Sequence, residues 1–189
     1  MRRLVLHLLC LLPAVWLVYL AFTDGLGANP IEYITHHTGD WTLRMLLITL
    51  SFSPTARLLR KPGLLSYRRA VGLYVFFYAL LHFATYIGLD QFFDWVSVKE
   101  DIIKRPYILV GFTAFVLLWP LAATSNRRAV LWLQHRWKTL HRLVYVIAVA
   151  GLIHYWWLVR ADFAKAWIYL IILAALFAWR IGIAVSRRR

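Results

Sequence analysis

Long apolar runs recur along the chain, each bounded by clusters of charge. Leu4 to Phe22 is 19 residues without a charge, Ala70 to Leu89 is 20, and Pro106 to Asn126 is 21. Leu143 to Val159 gives 17, and it reaches back to about Thr139 with Arg142 at its boundary. Ala166 to Ser186 contains one charge, Arg180. A helix of about 20 apolar residues crosses a bilayer. A sixth stretch, Trp41 to Leu59, carries Arg44 and Arg57 near its two ends, where long side chains reach the interfaces. The pattern predicts an all-α integral membrane protein with six transmembrane helices, at about 4–22, 41–59, 70–89, 106–126, 139–159 and 166–186. These form one domain over residues 1–189, with no internal repeat and no low-complexity segment legible.

Composition supports this. Of 189 residues, 62% are apolar and 16% charged, and the mean hydropathy is +0.64. A soluble domain is nearer half apolar and a quarter charged. A soluble enzyme, a disordered chain and a disulfide scaffold are all excluded. Cys10 is the lone cysteine, so neither an intrachain disulfide nor a cysteine-only metal cluster can form. Within an apolar run it reads as a small filler.

The net charge of +14 suits either nucleic acid or membrane flanks, and the positions decide. With the N-terminus inside, the inside segments hold sixteen of the 22 basic residues. The outside segments hold Arg44, Lys99, Lys104, Arg105, Arg160 and Lys165, together with the acids. This alternation follows the positive-inside rule, and it fails if Trp41–Leu59 is not a span. Both termini are therefore expected in the cytoplasm, and nucleic-acid binding is not. The N-terminus resembles a signal peptide, yet its apolar run is long and no small-x-small site follows, so it reads as an uncleaved span. The ten tryptophans fall mostly near span ends, as an interfacial belt does. The outside segment Asp90 to Arg105 alternates apolar and charged residues. It reads equally as an interfacial helix and as a packed loop.

Among seven histidines, His7, His36, His37 and His135 read as wet or interfacial. The other three differ, because an ionisable residue within a span is expensive and marks function by default. His82 sits seven residues from the outer end of the third span, and His154 five from the outer end of the fifth. They share a depth on two helices that run the same way. Two neutral imidazoles across a bundle suit a six-coordinate haem iron. His141 lies 13 residues before His154, about 20 Å lower on a continuous helix, near the inner face. The matching positions on the third span are Arg68 and Arg69. Neither ligates iron, but either is placed to pair with haem propionates.

Six spans with histidines on the third and fifth resemble the ferric reductase-like transmembrane cytochromes. The segments HHTGDWTLRMLLITLSFSPTARLLR, RRAVGLYVFFYALLHFATY and WKTLHRLVYVIAVAGLIHYWW are similar to the MsrQ branch of haem-binding subunits, over about Ile31 to Ile183. The resemblance implies b-type haem, one or two, with His82, His141 and His154 as iron ligands. It also implies electrons taken from the quinone pool and passed to MsrP, a periplasmic molybdopterin enzyme that reduces methionine sulfoxide in envelope proteins. Flavin mononucleotide is associated with the branch. The wider superfamily places two histidines on each of the two helices, whereas here the inner position of the third span is Arg68 or Arg69. No glycine-rich dinucleotide motif is present, so electrons are expected from a membrane carrier or a separate cytosolic flavin reductase. The expected location is the bacterial inner membrane. The competing classes are a proton or ion transporter using His82 and His154, and an anchor that only recruits a soluble partner. No Asp or Glu lies within a span, which weighs against transport.

Overall fold

The computed structural model describes residues 2–158 and 163–186. Val159, where the fifth expected span ends, the loop charges Arg160 and Asp162, and the tail arginines 187–189 lie outside the described residues. The chain is all-helical: α1 (Arg2–Phe22), α2 (Pro30–Leu58), α3 (Arg68–Thr85), α4 (Trp95–Lys104), α5 (Pro106–Ala123), α6 (Arg127–Leu133), α7 (His135–Leu140), α8 (Leu143–Leu158) and α9 (Phe163–Ser186). A 3₁₀ turn over Pro62–Ser66 precedes α3, and a π-helical turn over Tyr86–Asp90 continues it.

Local chemistry sets the boundaries. Asn29 caps α2 by accepting from the Glu32 amide, and Pro30 opens the helix where an amide hydrogen is not needed. Asp94 caps α4 through the Val96 and Ser97 amides, Pro106 opens α5, and Asn126 caps α6. Gln134, at φ +47°, separates α6 from α7.

Among the described residues, four stretches are long and apolar enough to cross a membrane: Arg3–Phe22, Pro62–Asp90, Pro106–Ala123 and Phe163–Ser186. α2 has the length, at 29 residues, but carries Glu32, Asp40, Arg44 and Arg57. α8 spans 16 described residues. Leu8, Leu12 and Val15 on α1, and Ile168, Ile171 and Ile181 on α9, are exposed. Such apolar faces suit lipid rather than water.

Two expectations need correction, on the placing of His36 and His37 and on the helix that carries His141, and one open alternative is resolved. The helix that carries the stretch 41–59 starts earlier, at Pro30, where the Asn-Pro start signal outweighs the polar residues that follow it. His36 and His37 therefore sit on a helix, not in an open loop, and His37 Nε2 lies 3.1 Å from the Pro13 carbonyl. The expected fifth span is not one helix from Thr139. α7 ends at Leu140, and His141 and Arg142 form a turn before α8, so His141 is not 13 helical residues below His154. The segment between Asp90 and Arg105 contains a helix, α4, with Val98 buried and Trp95, Val96 and Ile103 exposed.

The closest packing joins α2 to α3 and α5 to α8, each an antiparallel pair. The two pairs repeat one another with a shift of 72 positions, which the sequence alone did not reveal. Buried Leu43, Leu46 and Val75 in the first pair match buried Phe115, Leu118 and Ile147 in the second. His82 matches His154 by the same shift. An aromatic column joins the pairs: Phe83 stacks on Phe115 at 4.6 Å between ring centroids, and Phe76 lies edge-on to Trp119 at 5.0 Å.

The outer helices are tied on through polar side chains that reach helix carbonyls. Pro54 has no amide hydrogen to pair with the carbonyl four residues back, that of Leu50. Arg180 of α9 donates to that carbonyl through Nη2 at 2.9 Å, and to the Tyr145 hydroxyl through Nη1 at 2.7 Å. On the other side, the Tyr78 hydroxyl donates to the carbonyl of Cys10, one turn before Pro13 in α1, at 2.7 Å. Cys10 itself is buried in the core, as a filler should be.

Arg180→Leu is expected to cost about 1–3 kcal/mol, the penalty of leaving a buried polar group unpaired. Adding Pro54→Ala restores an amide for the Leu50 carbonyl, so the loss should shrink in that background. Thermal unfolding of the four proteins in detergent measures the coupling. Strict additivity would show that Arg180 does not serve this carbonyl.

Candidate functional site

The α2–α3 and α5–α8 pairs enclose a cavity of about 970 Å³. Its walls are largely apolar, with Phe83, Phe112, Phe115, Leu118 and Ile147 among them. His82 and His154 both line it. Their ring centroids are 6.1 Å apart and the ring planes cross at 73°. The equal depth read from the sequence thus becomes direct opposition in space.

Each imidazole is seated the same way. Nδ1 of His82 donates to the Thr35 carbonyl at 2.9 Å, and Nδ1 of His154 donates to the Tyr107 carbonyl at 2.6 Å. A carbonyl only accepts, so the ring hydrogen of each neutral histidine is on Nδ1 and the lone pair is on Nε2. Each ring also rests against a glycine one turn past that carbonyl. A Cβ on Gly39 would stand 3.1 Å from His82 Cε1, and one on Gly111 would stand 2.6 Å from His154 Nδ1. Gly39 precedes His82 by 43 positions, and Gly111 precedes His154 by the same 43. Neither glycine was singled out in the sequence, although that equal spacing was available there.

The arrangement suits one kind of ligand. Neither Nε2 has a hydrogen-bonding partner among the described residues. A histidine that binds metal through one nitrogen commonly donates its other N–H to a carbonyl, and these do. Imidazole binds metal at about 2 Å, so a metal ion between two such nitrogens sets the centroids roughly 6 Å apart, near the observed spacing. Among the described residues, no group of three or more His, Cys, Asp or Glu gathers to hold a bare ion. A metal held here must bring its remaining ligands with it, as the iron of haem does.

Cations surround the same cavity. Arg44, Arg105 and Lys165 line it. Arg44 donates to the Tyr169 hydroxyl at 2.9 Å, pairs with Asp40 at 3.2 Å, and lies over the Trp41 ring. Arg105 pairs with Asp101 at 3.0 Å. The sequence reading assigned these three to topology alone.

His141 is elsewhere. Its ring stacks on Trp137 at 4.0 Å, and Nε2 lies 2.9 Å from the Thr124 hydroxyl. No second imidazole faces it among the described residues. Under the 72-residue shift its counterpart is Arg69, which is exposed. Arg68 is half-buried, with Nη1 3.4 Å from Ser53 Oγ. His7 meets the Tyr74 hydroxyl at 3.0 Å, and His135 is exposed.

Apolar helices with lipid-facing surfaces and a cavity within the bundle define a helical membrane protein built to hold a sizeable group. Comparison with known proteins agrees. Residues 38–152 match the family model of the ferric reductase like transmembrane component. The protein-methionine-sulfoxide reductase heme-binding subunit MsrQ of Polaromonas naphthalenivorans is 46% identical over 97% of this chain and 86% of its own. Its namesake in Herminiimonas arsenicoxydans is 48% identical over 97% and 85%, and that of Caulobacter vibrioides 44% over 92% and 83%. The chain belongs to the ferric reductase-like transmembrane family and, within it, to the MsrQ branch. No solved structure matches it.

Gly111→Ala is expected to cost about 1–3 kcal/mol by overpacking, with a smaller loss for Gly39→Ala. Gly182→Ala meets nothing within 4 Å and should be neutral or mildly stabilising. Thermal unfolding of the three variants gives the order. An equal response at Gly111 and Gly182 would show that no ring rests on Gly111.

Proposed function

We propose that the chain is the haem-binding membrane subunit of a bacterial protein-methionine-sulfoxide reductase system. One observation carries this reading: two neutral imidazoles, each locked by a backbone carbonyl, turn their free Nε2 atoms into one largely apolar cavity. His82 and His154 would hold haem b. When bound, the haem supplies a one-electron redox centre inside the bundle. The chain does the rest. The Thr35 and Tyr107 carbonyls fix the ring tautomers, Gly39 and Gly111 fix the ring positions, and the phenylalanines keep water out. Arg44, Arg105 and Lys165 offer positive charge to the haem carboxylates.

In this reading the chain crosses the inner membrane six times as a single domain, with both termini cytoplasmic. The alternating loop charges support that topology. His82 and His154 then lie in the periplasmic half of the bilayer. Electrons enter from the quinone pool and leave to a periplasmic MsrP-like molybdopterin subunit that repairs methionine sulfoxide. Flavin mononucleotide and a cytosolic flavin reductase enter the proposal through the family resemblance alone. At the inner end His141 offers a single imidazole, whose Nε2 already meets Thr124. A haem there would have one protein ligand at most, with Arg68 rather than exposed Arg69 beside it.

Purified protein should carry low-spin haem b, and His82→Ala or His154→Ala should each remove most of it. Any fraction that binds carbon monoxide should fall in His141→Ala, while the low-spin band persists. Wild-type haem content in both outer variants would refute the pairing. A second test concerns the electron source. A quinol analogue should reduce the haem, and NADPH without added flavoprotein should not. Rapid reduction by NADPH alone would contradict entry from the membrane.

A further inference from the structure

A second groove lies well away from the histidine cavity and shares none of its residues. It is about 890 Å³ in volume and runs between the end of α2, the 3₁₀ turn, the start of α8 and the last turns of α9. Three arginines line it: Arg57 of α2, Arg142 of the turn before α8, and Arg180 of α9. Its remaining surface is mostly apolar, from residues such as Pro54, Leu65, Phe177, Ile181 and Ile183. No Asp or Glu lines it.

The charge balance at this groove is incomplete. Arg180 donates to the Tyr145 hydroxyl and the Leu50 carbonyl, both neutral acceptors. Its Nε is the one buried side-chain polar atom without a hydrogen-bond partner among the described residues. A half-buried guanidinium with no carboxylate beside it is costly unless an anion comes to it. The side chains of Arg57 and Arg142 form no ion pair or side-chain hydrogen bond among the described residues, and both are exposed at the rim. Three guanidinium groups around one opening match the oxygens of a phosphate, which arginine binds in a fork. The apolar wall beside them, on the flank of the bundle, suits hydrocarbon. A ligand meeting both demands is an amphiphile with an anionic phosphate head. Basic pockets between transmembrane helices recognise such lipids.

We propose that this groove is a binding site for an anionic phospholipid, with its phosphate among Arg57, Arg142 and Arg180 and an acyl chain along α9. The site stands independently of the haem reading. Arg57 and Arg142 are the residues to change, because Arg180 also holds the Leu50 carbonyl.

The test is native mass spectrometry of the purified full-length protein in detergent, titrated with phosphatidylglycerol or phosphatidylcholine of the same acyl chains. Wild type should bind phosphatidylglycerol at least tenfold more tightly. Arg57→Gln with Arg142→Gln should abolish that preference, with helical circular dichroism unchanged. Arg57→Lys with Arg142→Lys keeps the charge and should keep most of the preference, which separates loss of the site from loss of the fold. Equal binding of the two lipids by wild type, or an undiminished preference in the glutamine variant, would overturn the proposal. Displacement of the lipid by millimolar inorganic phosphate would also overturn it, by assigning the arginines to a free anion.

Discussion

The structure depends on how an imidazole is accommodated inside an apolar bundle. A buried polar ring needs a hydrogen-bonding partner, and in hydrocarbon the nearest supply is helix backbone, whose carbonyls already accept within their own helix. A second donor reaches such a carbonyl only if nothing stands over the turn. Glycine provides that opening. At Gly39 and at Gly111 the missing Cβ lets a histidine of the antiparallel neighbour lie on the helix and donate to the carbonyl one turn earlier. That one contact brings α2 close to α3 and α5 close to α8, fixes both tautomers, and leaves both Nε2 atoms to the cavity. Because it occurs twice, the two helix pairs present their rings to each other.

The same accounting of backbone groups explains how the flanking helices attach. Pro54 frees a carbonyl in α2 and Arg180 of α9 takes it; the Cys10 carbonyl in α1 receives Tyr78 of α3 as a second donor. These polar ties matter because α1 and α9 turn most of their apolar surface outward. Burial of that surface against protein contributes little to holding them, and in a bilayer there is no hydrophobic drive to bring helices together. The polar ties also divide the molecule chemically. The histidine cavity has acids and bases near it, including Asp40, Asp101, Arg44 and Arg105. The groove at the other end of α9 has arginines only.

Much of this was legible in the sequence, for reasons that are local. Charge-free runs report spans because hydrocarbon tolerates little else, and counting residues from a span end gives depth because helical rise is fixed. His82 and His154 could be paired on that basis. What the sequence concealed was long-range or lay at a boundary. The glycine seats join residues 43 apart, and their effect appears only once the helices are antiparallel. The internal repeat is carried by a few side chains of matching size, such as Val75 with Ile147, and little identity accompanies it. His141 was placed on the wrong element, since nothing in LHRLV announces that α7 ends and α8 begins there. Arg44 looked like a topology determinant because charge says nothing about which cavity a side chain enters.

Electron paramagnetic resonance of the oxidised, purified protein tests the central claim most directly. Two imidazoles crossing at 73° on one iron should give a highly anisotropic low-spin ferric signal. That result would mean that His82 and His154 bind the iron together, in the orientation their carbonyl and glycine seats impose. A predominantly high-spin signal, or a low-spin signal from nearly parallel rings, would contradict it.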